Sequence, residues 1–280
     1  MKRTKSFENN YLLYLIATPI GNLKEMTPRA LEIISKCDLV VAEDTRNASS
    51  LLAKFDIKKP AFSLHEHNER EASKKVVNDI LSGKKVVYMS DAGYPAISDP
   101  GHILVEECLK NDIAVSSVAG SSAFINALVA SGLDSDHFYF YGFLSSKESE
   151  AKKQLETLLN KEETIIFYES PHRIANTLKL LSNVLGERKC VIARELTKLN
   201  EEFIRGTLSE LANIDASTLI GEMVIVVEGN KIETKLEDAQ IINYLTILLN
   251  KGLTKKDAIE VTSILLKVNK NYVYDLAKSL

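Results

Sequence analysis

The sequence lacks several features that would assign it to common classes of protein. Its 280 residues include only three cysteines, Cys37, Cys108 and Cys190, which lie far apart without the paired spacing of a zinc site or a disulfide framework. We expect them to be buried thiols in a reducing cytoplasm. The net charge is −3 at pH 7, so no bulk basic field attracts nucleic acid, and an RNA partner would require a local basic patch.

The sequence also lacks a long apolar run. Residues 1–10 are polar and charged, and no apolar signal-peptide core follows them. The apolar run from Tyr11 to Ala17 is too short to span a bilayer before Pro19 interrupts it. We therefore predict a cytoplasmic protein without a membrane partner.

Short apolar segments alternate with amphipathic helices over the first part of the chain. This pattern is typical of a mostly parallel sheet covered by helices, and it predicts strands at 11–17, 38–43, 60–64, 85–90 and 113–118. Beyond it, several β-rich runs follow one another, and two of them, CVIARELT and EEFIRG, are spaced as a hairpin. Because parallel strands cannot form a hairpin, we expect a second domain with a mixed sheet.

The composition divides the chain into four segments. We predict a polar N-terminal tail at 1–10, an N-terminal α/β domain at 11–118, a C-terminal α/β domain at 119–232 and a helical tail at 233–280. In the tail, Thr254 precedes a predicted helix whose apolar positions are Ala258, Val261, Ile264 and Leu265. The tail helices fit a helix-turn-helix-like module or a plain packing element, and both interpretations stay open.

Three loops follow predicted strands of the first domain: Thr18–Asn22, Ser90–Pro100 and Ala119–Ser122. Neither the dinucleotide fingerprint nor the phosphate loop of nucleotide-binding domains is present. Loops at the carboxyl ends of parallel strands meet at one edge of the sheet, so the pattern predicts a ligand pocket there. Within the second loop, Asp99 and Pro100 are also typical of a helix N-cap and first turn.

Seven short segments carry a resemblance to a known family. TPIGNL, AEDTR, LHEHNE, SDAGYPAISDPG, FYESPHR, ARELTK and GEMVIVVEG occur in the order found in the tetrapyrrole methylases. They are most similar to the bacterial small-subunit ribosomal RNA branch, whose members 2′-O-methylate a cytidine. The resemblance spans about residues 11–229. It implies two α/β domains with S-adenosylmethionine in the cleft between them, a helical C-terminal tail and a homodimer.

The resemblance also implies which residues surround the cofactor. They are Pro19, Asp91, Gly93, Tyr94, Ile97, Gly120, Ser121, Ser122, Tyr168, Leu196 and Met223. The sequence departs from the family at Tyr94, where threonine is common, and at Ala119–Ser121, where Pro-Gly-Pro or Pro-Gly-Ala is common. We expect Tyr94 to narrow the pocket or stack on the ligand, and the loop without its proline to be less stiff. Methyl transfer from a sulfonium needs no metal.

A ribose hydroxyl is a weak acid, so methylation would be helped by a base or by donors that stabilise the alkoxide. The sequence does not select one group, and the candidates are Asp44, His65, His67, Glu169, Glu195 and Lys198. Each has a structural alternative: Asp44 is also a helix N-cap, the histidines are also hydrogen-bonded or RNA-contacting groups, and Glu195 is also the partner of a neighbouring arginine. For RNA phosphates the candidates are Arg46, His67, Arg173, Arg194, Lys198 and Arg205.

The sequence therefore predicts an S-adenosylmethionine-dependent 2′-O-methyltransferase acting on a cytidine of small-subunit (16S) ribosomal RNA. Its partner would be that RNA or the assembled small subunit, with the target nucleotide splayed out of any helix. One alternative is a small-molecule methyltransferase of the same fold acting on a corrinoid or porphyrin. Another is a catalytically silent RNA-binding module. The arginine-bearing loops and the helical tail favour RNA, because a buried small substrate needs neither.

Overall fold

A computed structural model describes residues 12–231, 238–266, 268–278 and 280. The predicted polar tail at 1–10 lies outside the described residues, as does part of the segment around the boundary predicted at 232. The chain divides into two compact units, one ending at Asn230 and the other beginning at Lys231. The first unit contains two five-stranded sheets. The boundary proposed at residue 118 between two α/β domains stays a prediction.

The first sheet is parallel and has the strand order β3-β2-β4-β1-β5. Its elements are β1 (Leu12–Ile16), α1 (Pro28–Ser35), β2 (Leu39–Ala42), α2 (Thr45–Ala53), β3 (Ala61–Ser63), α3 (Glu69–Leu81), β4 (Val86–Met89), α4 (His102–Lys110) and β5 (Ala114–Val118). All four residues of β4 are buried, because helices cover both faces of the sheet and form a core on each. The alternation of strands and helices predicted from the sequence is confirmed.

The second sheet is mixed, as predicted. Its order is β6-β7-β10-β8-β9, with β6 and β7 parallel and the other neighbours antiparallel. The elements are α5 (Ala123–Ser131), β6 (Phe138–Phe143), α6 (Glu148–Glu156), β7 (Thr164–Glu169), α7 (Ile174–Leu185), β8 (Lys189–Arg194), β9 (Glu202–Thr207), α8 (Leu208–Ala212) and β10 (Met223–Val227). The predicted hairpin is β8 and β9. The helices α6 and α7, which connect β6 to β7 and β7 to β8, were not assigned from the sequence.

The start of α4 differs from the sequence-based expectation. The residue before the helix is Gly101, which has a φ of +133° and supplies no side-chain cap. Instead, the Glu69 carboxylate of α3 accepts hydrogen bonds from the backbone N–H groups of Gly101 at 2.8 Å and Ile103 at 2.9 Å. The prediction that Asp99 caps this helix is therefore wrong, because an acid from the neighbouring helix already satisfies the free donors.

The second unit is a small helical bundle with its own core. It contains α9 (Asp238–Asn250), α10 (Lys255–Leu265) and α11 (Lys270–Ala277). Thr254 caps α10 as predicted, accepting a hydrogen bond from the Asp257 N–H at 3.2 Å. The predicted apolar stripe is wrong in part: Ala258 is buried, but Ile264 and Leu265 are 69% and 65% exposed. Among the described residues, no helix has the length and hydropathy needed to cross a bilayer.

Candidate functional site

The three loops that follow β1, β4 and β5 are joined by hydrogen bonds at the carboxyl edge of the first sheet. Thr18 and Gly93 exchange two backbone hydrogen bonds of 2.9 and 3.1 Å, which join the first loop to the second. The Tyr94 hydroxyl accepts a hydrogen bond from the Gly120 N–H at 3.1 Å, which joins the second loop to the third. The sequence-based expectation that the loops meet at one edge agrees with this arrangement.

The Ala119–Ser122 loop is held close to β1 although it lacks the family's proline. A Cβ at Gly120 would lie 2.9 Å from the Ala17 Cβ and 3.0 Å from the Ala17 carbonyl oxygen, so this approach requires glycine. The hydrogen bond from the Gly120 N–H to the Tyr94 hydroxyl provides a second restraint on this loop. Tyr94 thus has a role that the sequence analysis missed, as an anchor for the third loop.

A cavity of about 330 Å³ lies between these loops and one face of the second sheet. Eight of the residues that the resemblance placed near the cofactor line it: Asp91, Gly93, Tyr94, Ile97, Ser122, Tyr168, Leu196 and Met223. The other three are not among the lining residues. Pro19 is buried, Gly120 packs on Ala17, and Ser121 donates a hydrogen bond of 2.7 Å to the Glu25 carboxylate.

The wall formed by the first sheet is acidic. Asp91 is exposed and accepts a hydrogen bond of 2.7 Å from the side-chain amide of Asn47 on α2. Asp99 also lines the cavity, and burial together with the carboxylates of Glu43 and Asp91 raises its pKa to about 6. Burial, followed by the charge of Asp91, likewise raises the pKa of Glu43. The sequence analysis missed Asp99 as a site residue because its Asp-Pro-Gly context is typical of a helix start.

The wall formed by the second sheet carries aromatic and apolar side chains beside four charged residues, Glu169, Glu195, Lys198 and Glu222. Four rings contact one another in series from α5 across β6 and β7: Phe124 and Phe140 at 4.5 Å, Phe140 and Tyr168 at 5.1 Å, and Tyr168 and Phe143 at 5.5 Å between centroids. Burial raises the pKa of Tyr168 to about 12, so its hydroxyl stays protonated at neutral pH. This wall suits the flat, apolar part of a ligand.

Two of the predicted catalytic candidates, Glu195 and Lys198, lie at the cavity and pair with each other. The Lys198 ammonium is 2.9 Å from the Glu195 carboxylate, so the alternative partner considered for Glu195, a neighbouring arginine, is not the one observed. Glu195 has a φ of +50°, and Thr197 has one of +69°. Gly221 leaves room for the Glu195 carboxylate, because a side chain at that position would collide with it. Such left-handed backbone in residues other than glycine is concentrated at functional sites.

Glu169 also borders the cavity, but both of its carboxylate oxygens have partners. One accepts from the Ser170 N–H at 2.8 Å and lies 3.5 Å from the Arg173 guanidinium, and the other accepts from the Thr177 hydroxyl at 2.6 Å. The residue is 3% exposed. These contacts fix the turn between β7 and α7, which makes Glu169 a structural group.

Asp44 and His65 do not line the cavity. Asp44 caps α2 by accepting from the Arg46 N–H at 2.8 Å, and hydrogen bonds from Arg46 lower its pKa to about 2. This is the structural alternative considered for Asp44. His65 packs edge-on against His67 with 6.0 Å between ring centroids, and its Nδ1 is buried without a hydrogen-bond partner among the described residues.

Most of the arginines predicted to contact RNA bind other parts of the chain. Arg173 donates to the carbonyls of Leu144 and Ser145 at 2.9 and 3.0 Å. Arg194 donates to the Glu202 carboxylate at 2.6 Å. Arg205 donates to two carbonyls at the end of α5, the shorter contact being 2.6 Å to Ala130. Arg46 and His67 are exposed, so among these residues they are the more accessible for an external phosphate.

The chain has two α/β sheets that line one cavity. Glycine-bearing loops form one wall and strand residues form the other, and this arrangement defines a class of two-sheet ligand-binding proteins. Within this class, the chain belongs to the tetrapyrrole (corrin/porphyrin) methylase family, whose model matches residues 12–212. The predicted family is confirmed.

Curated relatives match nearly the whole chain. A Bacillus subtilis protein named ribosomal RNA small subunit methyltransferase I is 42% identical, with 98% of each chain covered. A Synechocystis protein of the same name is 41% identical, with 96% of this chain and 98% of that chain covered.

Solved structures of low sequence identity share the fold. The methyltransferase CobJ has a TM-score of 0.58 at 15% identity, covering 79% of this chain and 94% of its own. Uroporphyrin-III C-methyltransferase from Thermus thermophilus, complexed with S-adenyl homocysteine, has a TM-score of 0.54 at 18% identity, covering 77% and 96%. These likenesses confirm the predicted fold class of two α/β sheets with a helical C-terminal region.

Proposed function

We propose that the protein transfers a methyl group from S-adenosylmethionine to the ribose 2′-oxygen of a cytidine in small-subunit ribosomal RNA. The observation that carries the proposal is the cavity shared by both sheets, in which the carboxylates of a first-sheet loop lie opposite aromatic side chains of the second sheet. The names of the curated relatives support ribosomal RNA as the substrate. The nucleotide, the 2′-oxygen, a homodimeric state and a cytoplasmic location are parts of this proposal.

The residues of the cavity fit S-adenosylmethionine. Its volume of about 330 Å³ falls within the roughly 300–1,000 Å³ typical of small-molecule sites. Gly93 leaves the wall without a side chain, and the carboxylate of Asp91 suits a ribose hydroxyl or an ammonium group. Leu196 and Met223 are buried and offer apolar surface for a flat ring. We assign cofactor binding to these residues together with Tyr94, Ile97, Ser122 and Tyr168.

When bound, S-adenosylmethionine supplies an electrophilic methyl group on a cationic sulfonium. The protein has to orient the attacking oxygen, exclude water and accept the proton of the hydroxyl. The hydrogen bonds between the three loops keep one wall rigid, so the position of the reacting groups is fixed by the fold.

For the proton, we favour Asp99 among the carboxyl groups at the cavity. A carboxyl with a pKa of about 6 is ionised at neutral pH, yet it is a stronger base than an ordinary aspartate. Glu195 is less suited because Lys198 neutralises it, and Glu169 because its oxygens already accept hydrogen bonds from the chain. The Lys198 ammonium remains a candidate for stabilising the developing negative charge on the oxygen.

The proposal is tested by transfer of radiolabelled methyl from S-adenosylmethionine to small ribosomal subunits from cells that lack this protein. Nuclease digestion then locates the label, which we expect on the 2′-oxygen of one cytidine. Naked ribosomal RNA is compared in parallel to show whether the assembled subunit is required. Label on a base instead would refute the 2′-oxygen as the atom that is methylated. An absence of label with normal binding of S-adenosylhomocysteine would favour a small-molecule substrate or a silent RNA-binding module.

A further inference from the structure

Phe143, the last residue of β6, is an aromatic residue that lines the cavity but is 53% exposed. One part of its ring contacts Tyr168 edge-on, with 5.5 Å between centroids. Tyr168 itself is more deeply buried and touches Phe140 as well. Phe143 thus continues the aromatic wall outward to the part of the cavity that is open to solvent.

A β-bulge determines that Phe143 faces the cavity. Phe140 of β6 pairs with Ile166 of β7, and Phe143 pairs with Tyr168. Between these pairs β6 has two residues and β7 has one, so Tyr141 is the extra residue. In regular alternation, Phe143 would share the face of Tyr141, which packs into the other core of this sheet. The bulge reverses this orientation and places Phe143 on the face of Phe140 and Tyr168. Bulges that redirect a side chain are frequent next to functional sites.

Gly142 makes the bulge possible and brings it against the Ser90–Pro100 loop. It has a φ of +81°, which glycine adopts without strain. A Cβ at this position would lie 3.1 Å from the Ser98 hydroxyl oxygen, so the bulge packs next to the residue that precedes Asp99. The redirected ring and the acidic wall are therefore neighbours within one site.

We propose that Phe143 is the stacking platform for the nucleobase of the nucleotide that is methylated. This inference rests on the function proposed above and specifies the residue that holds the substrate. A nucleotide has to leave its stack in the RNA before its ribose can enter a cavity, and it loses the stacking of its neighbours. An exposed ring at the opening replaces that interaction, since stacking on an aromatic side chain is available to any base.

The position of Phe143 favours the substrate base over the adenine of the cofactor. Among the residues assigned to the cofactor, the apolar side chains of the second sheet's wall are buried deeper, Leu196 with an exposure of 7% and Met223 with one of 2%. The cofactor is a small molecule that these walls can enclose. The RNA has to approach from solvent, and it meets Phe143 first because that ring is the more exposed part of the aromatic wall.

The test compares Phe143→Ala and Phe143→Tyr with the wild-type protein. Methyl transfer to small ribosomal subunits gives KM for the subunits and kcat, and calorimetry gives Kd for S-adenosylhomocysteine. For Phe143→Ala we expect KM for the subunits to rise roughly 5- to 100-fold, the loss typical of one stacked base. Phe143→Tyr keeps the ring and is expected to restore KM. Kd for S-adenosylhomocysteine is expected to stay unchanged in both variants.

A matched control is Tyr139→Ala, which removes a ring of 40% exposure from the same strand; this ring contacts Tyr141 and does not line the cavity. We expect wild-type KM for this variant. An unchanged KM in Phe143→Ala, or a Kd for S-adenosylhomocysteine that rises as much as KM, would overturn the platform while leaving the proposed function intact. If the wild-type protein methylates no RNA, the proposed function and the platform fail together.

Discussion

Replacing Asp99 with asparagine is expected to stabilise the protein at neutral pH while it slows methyl transfer. Burial and the carboxylates of Glu43 and Asp91 raise the pKa of Asp99 to about 6, so the folded protein disfavours the ionised form. Asparagine has nearly the same shape and carries no charge. Active sites often keep a group that lowers stability because the same group supports catalysis.

The magnitude follows from the shift in pKa. A rise from 3.8 to about 6 corresponds to about 3 kcal/mol at 1.36 kcal/mol per pKa unit. Because water reaches this half-buried carboxyl, we expect about 1–2 kcal/mol after screening. The penalty is complete above the folded pKa, where the ionised form is present in both states. It disappears below the unfolded pKa, where both states are protonated. The advantage of the variant is therefore largest at neutral pH and shrinks as the pH falls toward 4.

The free energy of unfolding is measured by urea titration from about pH 7.5 to about pH 4.5 for Asp99→Asn and the wild type. Asp44→Asn is the control of opposite sign. Hydrogen bonds from Arg46 lower the pKa of Asp44 to about 2, so its ionised form stabilises the folded state and asparagine is expected to reduce stability at neutral pH. Methyl transfer by Asp99→Asn is expected to fall roughly 10²- to 10⁴-fold, as for loss of a general base. A variant no more stable than the wild type at neutral pH would refute the burial argument, and one with full activity would refute the catalytic role.

Four further variants test the wall of the cavity and the arginines. Gly120→Ala places a Cβ 2.9 Å from the Ala17 Cβ, so unfolding by urea is expected to show a loss of about 1–3 kcal/mol, and wild-type stability would contradict the close packing. Tyr94→Phe removes the acceptor for the Gly120 N–H and is expected to cost about 0.5–1.5 kcal/mol and to weaken S-adenosylhomocysteine binding in calorimetry; unchanged binding would mean that the loop needs no anchor. Arg205→Ala is expected to lower the melting temperature and leave KM for RNA unchanged. Arg46→Ala is expected to raise KM for RNA and to cost only the small stability of its exposed ion pair with Asp44.

The strands were predictable because each signal is local. In the first sheet, the predicted limits agree with the observed ones within one residue at each end, apart from Tyr11, which lies outside the described residues. Each strand there is a short run bounded by turn residues, and in β4 burial on both faces removes the ambiguity of a half-polar strand. Of the three helices missed, α6, α7 and α8, the first exposes most of its polar sequence and buries only Ala151 and Leu155, so its apolar signal is weak.

The errors concern contacts between residues distant in sequence. Asp99 was assigned to a helix start because its competitor, Glu69 of α3, lies 30 residues earlier in the chain. Arg205 was predicted to contact RNA. Its strand sequence does not show that the carbonyl groups at the end of α5 need a hydrogen-bond donor, which Arg205 supplies. Phe143 was not selected at all, since only the register between β6 and β7 shows the extra residue that turns it toward the cavity.

The two walls of the cavity divide the work of recognition and chemistry. Asp91 and Asp99 belong to a loop of the first sheet, whereas Tyr168 and Phe143 belong to strands of the second. The carboxylates of the first wall suit a cation and a proton, and the flat aromatic side chains of the second suit rings. Because the groups are carried by different sheets, loss of Phe143 should act on KM for the RNA and loss of Asp99 on kcat.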